Sequence, residues 1–378
     1  MKNVAVIFGG VNCEHDISII TGLQVINLLD DELFNVIPIY INKYGEWFSD
    51  DKLLDLENYP LKDLKLREVF LTPSSKILFQ KKGKKLKPLN VVDFAIFAVH
   101  GINGEDGTLS GLFELNDIPY LNCGVIGASL TLDKCIFKTF LNSNNISNID
   151  SIELNENEFY ENIDEIKFEI LKKFGFPIIL KPANLGSSIG IKICKNEYEL
   201  EESVNYCFQF DNKILIEKYL GNIKEINIAL YKYFDEYCFS YLEQPITNES
   251  ILTFDNKYIG GETKGMESLK RICPIELNKD LEESIKNIAK KCYDKLNLKG
   301  IVRFDFIIDS NNVVYLNEIN STPGSFANYL FKNLNKDFTQ ILTDNIEHAI
   351  HLKFKNNEKI RYFSSSVLSG LSSDGIKK

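Results

Sequence analysis

Two segments near the C-terminal end of the chain alternate apolar and polar residues, and this pattern predicts a β-hairpin. The segments are Ile301–Asp309 and Val313–Asn320, and both are rich in β-branched and aromatic residues. Asp309, Ser310, Asn311 and Asn312 supply turn chemistry between them, so the two strands are expected to pair directly.

A two-residue loop at Ser310-Asn311 would bring four polar side chains to one face of this hairpin, because side chains alternate between the faces of a strand. These four residues are Arg303, Asp305, Glu318 and Asn320. In that register Arg303 lies opposite Glu318. Carboxylate and carboxamide oxygens suit Mg²⁺ held together with substrate phosphates. The alternative is a solvated outer face with cross-strand ion pairs, and the hairpin alone does not decide between the two.

The start of the chain predicts an α/β domain with a parallel sheet. The strand Asn3–Phe8 is followed by Gly9-Gly10 and then by apolar residues at helical spacing, which are Ile19, Leu23 and Ile26. The polar, lysine-rich segment Asp50–Lys87 predicts a surface excursion. Further buried strands are predicted at Phe34–Ile41, Val91–Val99, Phe176–Lys181 and Lys213–Leu220. An amphipathic helix is predicted at Lys279–Leu296.

Bulk properties describe an ordinary soluble protein. The chain has 378 residues, which allows two or three domains, and it is 44% hydrophobic and 25% charged. No signal-peptide pattern and no membrane-length apolar run are visible, so we expect a cytoplasmic protein. The net charge of −10 argues against nucleic-acid binding. Eight cysteines without a C-x-x-C pair are expected to be free thiols.

Two glycine-rich loops follow predicted strands and carry candidate chemistry. The loop H-G-I-N-G-E-D-G, from His100 to Gly107, lies where open α/β sheets bind ligands, although an ordinary turn has a similar composition. The loop K-P-A-N-L-G-S-S-I-G, from Lys181 to Gly190, suits a triphosphate because a lysine precedes backbone and serine donors. It is not a Walker A motif, and a hairpin turn without a ligand is its alternative.

Weaker signals lie between and after these loops. The strand end E-K-Y-L at Glu217 could present main-chain groups to an adenine, with Glu225 near a ribose. The polar segment 253–271 contains Lys257-Tyr258 and predicts a lid. The pair Lys134 and Lys138 is more typical of a solvated helix face than of a ligand site. His348 and His351 are spaced for a metal, but no third ligand is visible nearby, which favours surface histidines.

In their order along the chain, these motifs resemble the D-alanine–D-alanine ligase family of the ATP-grasp superfamily. The resemblance covers roughly residues 3 to 332, and H-G-x-x-G-E-D-G and N-E-x-N-x-x-P-G are its most specific pieces. It implies an N-terminal parallel α/β domain followed by two α+β domains that sandwich ATP. The implied domains are 1–125, 126–220 and 221–378, with a lid loop at 250–271.

The resemblance also implies a role for individual residues. ATP contacts are implied for Lys138, Lys181, Ser188, Glu217, Lys218, Leu220, Glu225 and Lys257. Mg²⁺ or Mn²⁺ ligands are implied for Asp305, Glu318 and Asn320. Orientation of the first amino acid is implied for the linked trio Glu14, Ser187 and Tyr258, and for His100. Stabilisation of an oxyanion is implied for Arg303 and the Gly324 backbone.

The implied reaction joins two D-alanine molecules through an acyl phosphate formed from ATP, for peptidoglycan synthesis. The partners would be small amino acids, with no nucleic acid or membrane, and the resemblance suggests a homodimer. Tyr329-Leu330 stand where the family generally carries Ser-Leu, at the rim of the second substrate's pocket. A different acceptor, such as D-serine, D-lactate or another amino acid, is therefore an alternative. A nucleotide-binding protein without catalysis is another.

Overall fold

The computed structural model describes residues 1–59, 61, 64–246, 270–332, 334–365 and 368. The strands there are β1 (Lys2–Gly9), β2 (Phe34–Ile41), β3 (Trp47–Phe48), β4 (Val69–Leu71), β5 (Ile77–Lys82), β6 (Lys85–Val91), β7 (Phe94–Phe97), β8 (Ser151–Asn155), β9 (Ile178–Pro182), β10 (Lys192–Cys194), β11 (Lys213–Lys218), β12 (Lys224–Tyr233), β13 (Glu236–Pro245), β14 (Arg271–Ile272), β15 (Val302–Ile308) and β16 (Val314–Asn320). The helices there are α1 (His15–Leu28), α2 (Thr108–Leu115), α3 (Val125–Leu132), α4 (Lys134–Ser143), α5 (Glu156–Glu161), α6 (Ile163–Lys173), α7 (Leu200–Phe208), α8 (Lys279–Lys295) and α9 (Phe338–Asn357).

The first layer is a sheet in the order β3-β2-β1-β7, and it confirms the predicted parallel α/β start. The central strand β1 pairs in parallel with both β2 and β7, while β3 joins the edge of β2 in the antiparallel sense. Residues 4–8 of β1 are fully buried, because α1 packs on one face of the sheet and α2 on the other. Such a near-continuous apolar run is typical of a strand covered on both faces.

The predicted surface excursion is more ordered than its composition suggests. Its second half forms the antiparallel sheet β4-β5-β6. Leu53, Val69 and Leu78 are buried beneath it, which gives this lysine-rich segment its own attachment to the first layer. A few buried apolar side chains are therefore enough to hold a mostly polar segment in place.

Two antiparallel sheets with helices on their outer faces follow the first layer. One has the order β10-β9-β11-β8 and the other the order β14-β13-β12-β15-β16. Helices α6 and α7 bury the apolar face of the first of these sheets, and α8 packs on the second. Together with the parallel first layer, this arrangement confirms the expected combination of an α/β layer with two α+β layers.

The hairpin of β15 and β16 is present, but its register differs from the prediction. Asp309 pairs with Val313 across a three-residue loop, and Arg303 lies opposite Asn320 instead of Glu318. A loop one residue longer than expected would move the polar set onto opposite faces. A β-bulge at Asn317 adds one more residue, and this returns Glu318 and Asn320 to the face that carries Arg303 and Asp305. The prediction of a shared face is thus confirmed, and the predicted cross-strand partner was wrong.

After β16 the chain turns sharply into the core. The segment Gly324–Leu330 contains three consecutive residues with left-handed φ angles, Ser325 (54°), Phe326 (49°) and Ala327 (51°). Non-glycine residues adopt this conformation at a cost of about 1–2 kcal/mol each. Phe326 and Ala327 are fully buried against the first layer, and this packing offsets the strain.

The helices that the structure describes include none that is long and apolar enough to cross a membrane.

Candidate functional site

A cleft lies where the three large sheets meet, and its space is about 1450 Å³ with the open mouth included. The first layer, the sheet of β9 and the sheet of β15 all contribute to its wall. Predicted site residues that line the cleft are Glu14, His100, Lys181, Ser187, Ser188, Glu225, Arg303, Asp305, Glu318, Asn320 and Gly324. Residues from distant parts of the chain therefore converge on one site, as the motifs indicated.

The polar face of the β15–β16 hairpin forms one wall of the cleft. Nε and Nη2 of Arg303 each donate to the Asp305 carboxylate at 2.7 Å, which is a bidentate pair. Asn320 Nδ2 donates to the same carboxylate at 2.9 Å. These contacts exist because residues two apart on β15 share a face and Asn320 lies opposite Arg303.

The second carboxylate on this wall, Glu318, lies directly opposite Asp305 across the strands. Burial raises the pKa of Asp305, and the charge of Glu318 adds to this effect although Arg303 opposes it. Two facing carboxylates are hard oxygen donors for a divalent cation. The described residues hold no cluster of three or more His, Cys, Asp or Glu side chains that would bind a metal alone. A cation here would need further oxygens from a substrate, which is how Mg²⁺ is commonly held beside phosphates.

The loop after β9 reaches across the cleft to the first layer. Ser187 Oγ donates to the carboxylate of Glu14, which lies just before α1. Ser187 and Ser188 both have left-handed φ angles (52° and 59°), so the backbone turns tightly at these two residues. Glu14 is 7% exposed, so the Glu14–Ser187 contact joins two parts of the cleft wall almost out of solvent.

His100 ends the strand region of β7 and is fully enclosed. Its Nε2 is 2.8 Å from Thr21 Oγ1, and its backbone N–H donates to Ser18 Oγ at 3.0 Å. Burial lowers the pKa of His100, although the nearby Glu14 carboxylate opposes the change. The imidazole therefore faces the cleft in its neutral form near pH 7.

Glu105 is a cleft residue that the sequence analysis did not single out. Its carboxylate accepts the backbone N–H of Gly101 at 2.8 Å and that of Thr322 at 3.1 Å. It thereby ties the His100 loop to the turn after β16. Burial raises the pKa of Glu105, and the charge of Glu14 adds to this. The residue belongs to the G-E-D-G motif, which was the available signal.

Two lysines from different elements share one buried carboxylate. Lys138 Nζ lies 2.6 Å from Glu217 Oε1, and Lys181 Nζ lies 2.5 Å from Glu217 Oε2. Burial alone would raise the pKa of Glu217, but Lys181 and Lys138 outweigh it and the pKa falls to about 2. Glu217 therefore stays ionised. Burial lowers the pKa of Lys138, whereas at Lys181 the charge of Glu217 outweighs burial and raises the pKa.

Of the remaining residues predicted to contact ATP, some line the cleft and others do not. Glu225 lines the cleft at the start of β12, whereas Lys138 and Glu217 lie behind its surface. Lys218 has an exposed side chain and Leu220 is half-buried beyond the end of β11. Lys257 and Tyr258 lie outside the described residues.

The end of the cleft near Arg303 contains a cluster that sequence analysis found only in part. Tyr329 is buried, and its hydroxyl donates to Glu243 Oε1 at 2.9 Å. Arg271 lies over the phenol ring, with its guanidinium carbon 4.2 Å from the ring centroid. Leu330 points into the core and is fully buried. No motif marked Glu243 or Arg271, since each stands alone in an apolar strand or beside a polar loop.

Two family models together match most of the sequence. The model described as "D-ala D-ala ligase N-terminus" matches residues 3–123, and that described as "D-ala D-ala ligase C-terminus" matches residues 140–347. A D-alanine–D-alanine ligase of Thermosipho melanesiensis is 36% identical over 97% of this chain and 98% of its own length. One of Staphylococcus epidermidis is 33% identical over 96% and 99%.

Solved structures show the same similarity. The D-alanine–D-alanine ligase of Helicobacter pylori has a TM-score of 0.75 and 29% identity, covering 92% of this chain and 98% of that one. The D-Ala:D-Ser ligase VanG of Enterococcus faecalis has a TM-score of 0.78 and 26% identity, covering 92% and 99%.

Proposed function

Because the chain belongs to the D-alanine–D-alanine ligase family, we propose that it joins two D-alanine molecules at the expense of ATP, giving the dipeptide, ADP and phosphate for peptidoglycan precursor synthesis. One observation carries this proposal. The cleft brings a carboxylate pair, a lysine-bearing Gly-Ser-Ser loop and an amine-binding candidate, Glu14, together from three sheets. This combination suits a phosphoryl transfer beside an amino acid.

The first step activates a carboxylate, which is a poor electrophile. A carboxylate oxygen of the first D-alanine attacks the γ-phosphorus of ATP, ADP leaves, and an acyl phosphate results. Charge spreads over the transferred phosphoryl group, so the protein's contribution is positioning and electrostatic stabilisation. We assign this task to Lys181, Lys138 and the backbone around Ser188, with Glu217, Lys218, Leu220 and Glu225 at the nucleoside.

A divalent cation fits the wall formed by Asp305, Glu318 and Asn320. Supporting evidence is the facing pair of carboxylates, in which burial and the charge of Glu318 raise the pKa of Asp305 although Arg303 opposes this. Asn320 now donates its amide nitrogen to Asp305, and rotation of the amide would offer its oxygen instead. Bound Mg²⁺, or Mn²⁺, would neutralise phosphate charge during transfer.

The first amino acid would be oriented by residues of the first layer. The Glu14 carboxylate suits its ammonium group, and Ser187 holds Glu14 in place. His100, neutral and buried, would face its carboxylate. Tyr258 would complete the trio with Glu14 and Ser187, and Lys257 would reach the phosphates. Both residues belong to the predicted lid, which would close because water must be excluded from the hydrolysable acyl phosphate.

The second step forms the peptide bond. The amine of the second D-alanine attacks the acyl carbon, the tetrahedral oxyanion is stabilised by Arg303 and the Gly324 backbone, and phosphate leaves with its C–O electron pair. The attacking amine must be neutral, so the rate should rise with pH until an essential group deprotonates. Asp305 holds the guanidinium of Arg303 in a fixed fork, which preorganises it for the oxyanion.

A second candidate function is ligation of D-alanine to a different acceptor. Tyr329 stands where the family generally has a small hydroxyl, and the chain is also similar to a D-Ala:D-Ser ligase. The hypothesis of a catalytically silent protein is weaker, because Lys181, Arg303 and the three metal candidates are all retained.

The deciding experiment is phosphate release from Mg-ATP with D-alanine alone and with D-serine, D-lactate and L-amino acids, with products identified by mass. D-Ala–D-Ala as the main product would support the leading proposal. A mixed product in excess would move the assignment to the other acceptor, and no turnover with tight ATP binding would contradict both.

The cellular setting is also a proposal. With ATP as co-substrate, the enzyme suits the cytoplasm. We propose a homodimer on the basis of family membership, and sedimentation would test it.

A further inference from the structure

We propose that Arg271 binds the carboxylate of the second amino acid, and that Tyr329 and Glu243 hold Arg271 in position. The inference rests on the proposed function and names the residue that would select its acceptor. The acceptors it predicts carry a carboxylate next to the nucleophilic group.

The first observation is that Arg271, and not Tyr329, forms the surface of the cleft. Arg271 lines the cleft together with Arg303 and Gly324, the residues assigned to the oxyanion. Its side chain is 14% exposed, whereas Tyr329 lies beneath its guanidinium and does not line the cleft. A substrate group that enters this end therefore meets the guanidinium before the phenol.

The second observation is how rigidly this guanidinium is held. One face stacks on the Tyr329 ring, and Nη1 lies 3.3 Å from Glu243 Oε2. Glu243 is itself fixed, because Tyr329 donates to it at 2.9 Å and Asn227 Nδ2 at 3.0 Å. A planar, preorganised guanidinium loses little entropy when it binds a carboxylate.

The third observation is the partners of the other cations on the described cleft wall. Lys134 donates to the Leu185 carbonyl, Lys181 pairs with Glu217, and Arg303 pairs with Asp305. Those partners lie in the loop 181–190, on β11 and among the metal candidates. Arg271, which itself pairs with Glu243, lies beside Arg303 at the acceptor end of the described wall, where a second negative charge must be accommodated.

Tyr329 then affects the acceptor in two ways. Its bulk takes the space that a small hydroxyl would leave open, and its ring orients Arg271. A neutral hydroxyl at this position could bind a carboxylate by a single hydrogen bond. The stacked cation replaces that contact with a charge-assisted pair, which is roughly twice as strong as a neutral hydrogen bond.

A competition experiment tests the role of Arg271. Enzyme, Mg-ATP and D-alanine are mixed with D-alaninamide, which keeps the amine but lacks the carboxylate, and both products are quantified by mass. The two acceptors compete for one D-alanyl phosphate, so their product ratio is independent of total activity and of donor binding. Arg271→Gln, which keeps a donor for Glu243, should lower the preference for D-alanine by about tenfold to a hundredfold.

Two variants control this experiment. Arg271→Lys keeps the charge without the planar fork and should restore part of the preference. Lys270→Met removes the neighbouring cation, whose side chain is exposed, and should leave the product ratio unchanged. If the Arg271→Gln variant still makes D-Ala–D-Ala and its product ratio is unchanged, the role of Arg271 is overturned while the proposed function stands. If the unmodified enzyme made neither product, the proposed function would fail, and the role of Arg271 with it.

Discussion

At the residue scale, the most informative contact is the one between Asp305 and Glu318. Two carboxylates that face each other across paired strands destabilise the protein unless a proton or a cation lies between them. Arg303 and Asn320 donate to Asp305, while the charge of Glu318 acts on the nearby Lys134 and Lys181. The arrangement is therefore suited to binding a cation and contributes little to folding.

Glu318→Gln should separate these two contributions. We expect kcat/KM to fall by about a hundredfold to a thousandfold, because one cation ligand is lost. The thermal midpoint without Mg²⁺ should not fall, because the repulsion with Asp305 disappears, whereas the stabilisation by Mg-ATP should be lost. Glu236→Gln, on the exposed turn of β12 and β13, is the matched control. A variant that kept full activity would contradict the metal assignment.

Tyr329 provides a second test at this scale. Tyr329→Ser removes the ring under Arg271 and the hydrogen bond to Glu243. We expect the relative kcat/KM values for D-alanine, D-serine and D-lactate as acceptors to change, by about tenfold or more, because pocket size and the orientation of Arg271 both change. Ratios that stay constant while overall activity falls would show that Tyr329 has only a structural role.

At the element scale, the loop between β15 and β16 determines the geometry of the site. Asn312 has a left-handed φ of 61°, and its N–H donates to Asp309 O at 3.0 Å. Asp309 Oδ1 accepts the N–H groups of Asn311 and Val313 at 2.9 Å each. The loop therefore has three residues, and the bulge at Asn317 returns Glu318 and Asn320 to the cleft face.

Substitutions at Asn312 should report on this loop. Asn312→Val should lower the free energy of unfolding by about 1–2 kcal/mol, because a β-branched residue is disfavoured at positive φ. Asn312→Gly should stay within about 0.5 kcal/mol of the parent, since glycine adopts that conformation freely. Urea denaturation followed by fluorescence measures both. Equal stability of the two variants would show that the loop adopts another conformation in solution.

At the scale of the whole molecule, the last helix connects the two ends of the chain. Helix α9 packs on the first layer through Ile341, Leu342 and Ile346, and contacts the turn after β12 through His348. His348 Nδ1 accepts the backbone N–H of Phe234 at 3.1 Å. Burial lowers the pKa of His348 to about 4, and His351 and Lys232 add to this while Asp235 opposes it.

The pH dependence of stability should show the titration of His348. In the unfolded chain His348 takes up a proton near pH 6.5, while in the folded state it does so only near pH 4. The contribution of His348 to stability should therefore be constant above about pH 6.5 and decrease as the pH falls toward 4. The effect should be on the order of 1–2 kcal/mol, less than the full shift allows, because solvent reaches part of the surroundings.

His348→Gln should flatten this part of the curve, because no imidazole then titrates at that position. His351→Gln serves as the comparison and should change the slope less. Thermal midpoints of the three proteins between pH 4 and pH 7.5 measure the difference. Parallel curves for His348→Gln and the parent would exclude a buried, neutral His348.

Local patterns in the chain were enough to predict the strands β1 and β2, the helix α8, the hairpin and the set of polar residues on its face. This follows because side-chain periodicity and turn chemistry depend on neighbours in sequence. The order of the motifs was also enough for the family.

Long-range packing decided the rest. The hairpin loop is one residue longer than predicted, and the bulge at Asn317 compensates for this. The four polar side chains therefore still share one face, but Arg303 lies opposite Asn320 instead of Glu318, and side-chain periodicity does not reveal that exchange. The pairing of Glu217 with both lysines, and the stacking of Arg271 on Tyr329, join residues that are 36 or more positions apart in sequence. Which buried charge meets which partner depends on the assembly of separate elements, because the cost of burying a charge is relieved only by groups that the fold brings beside it.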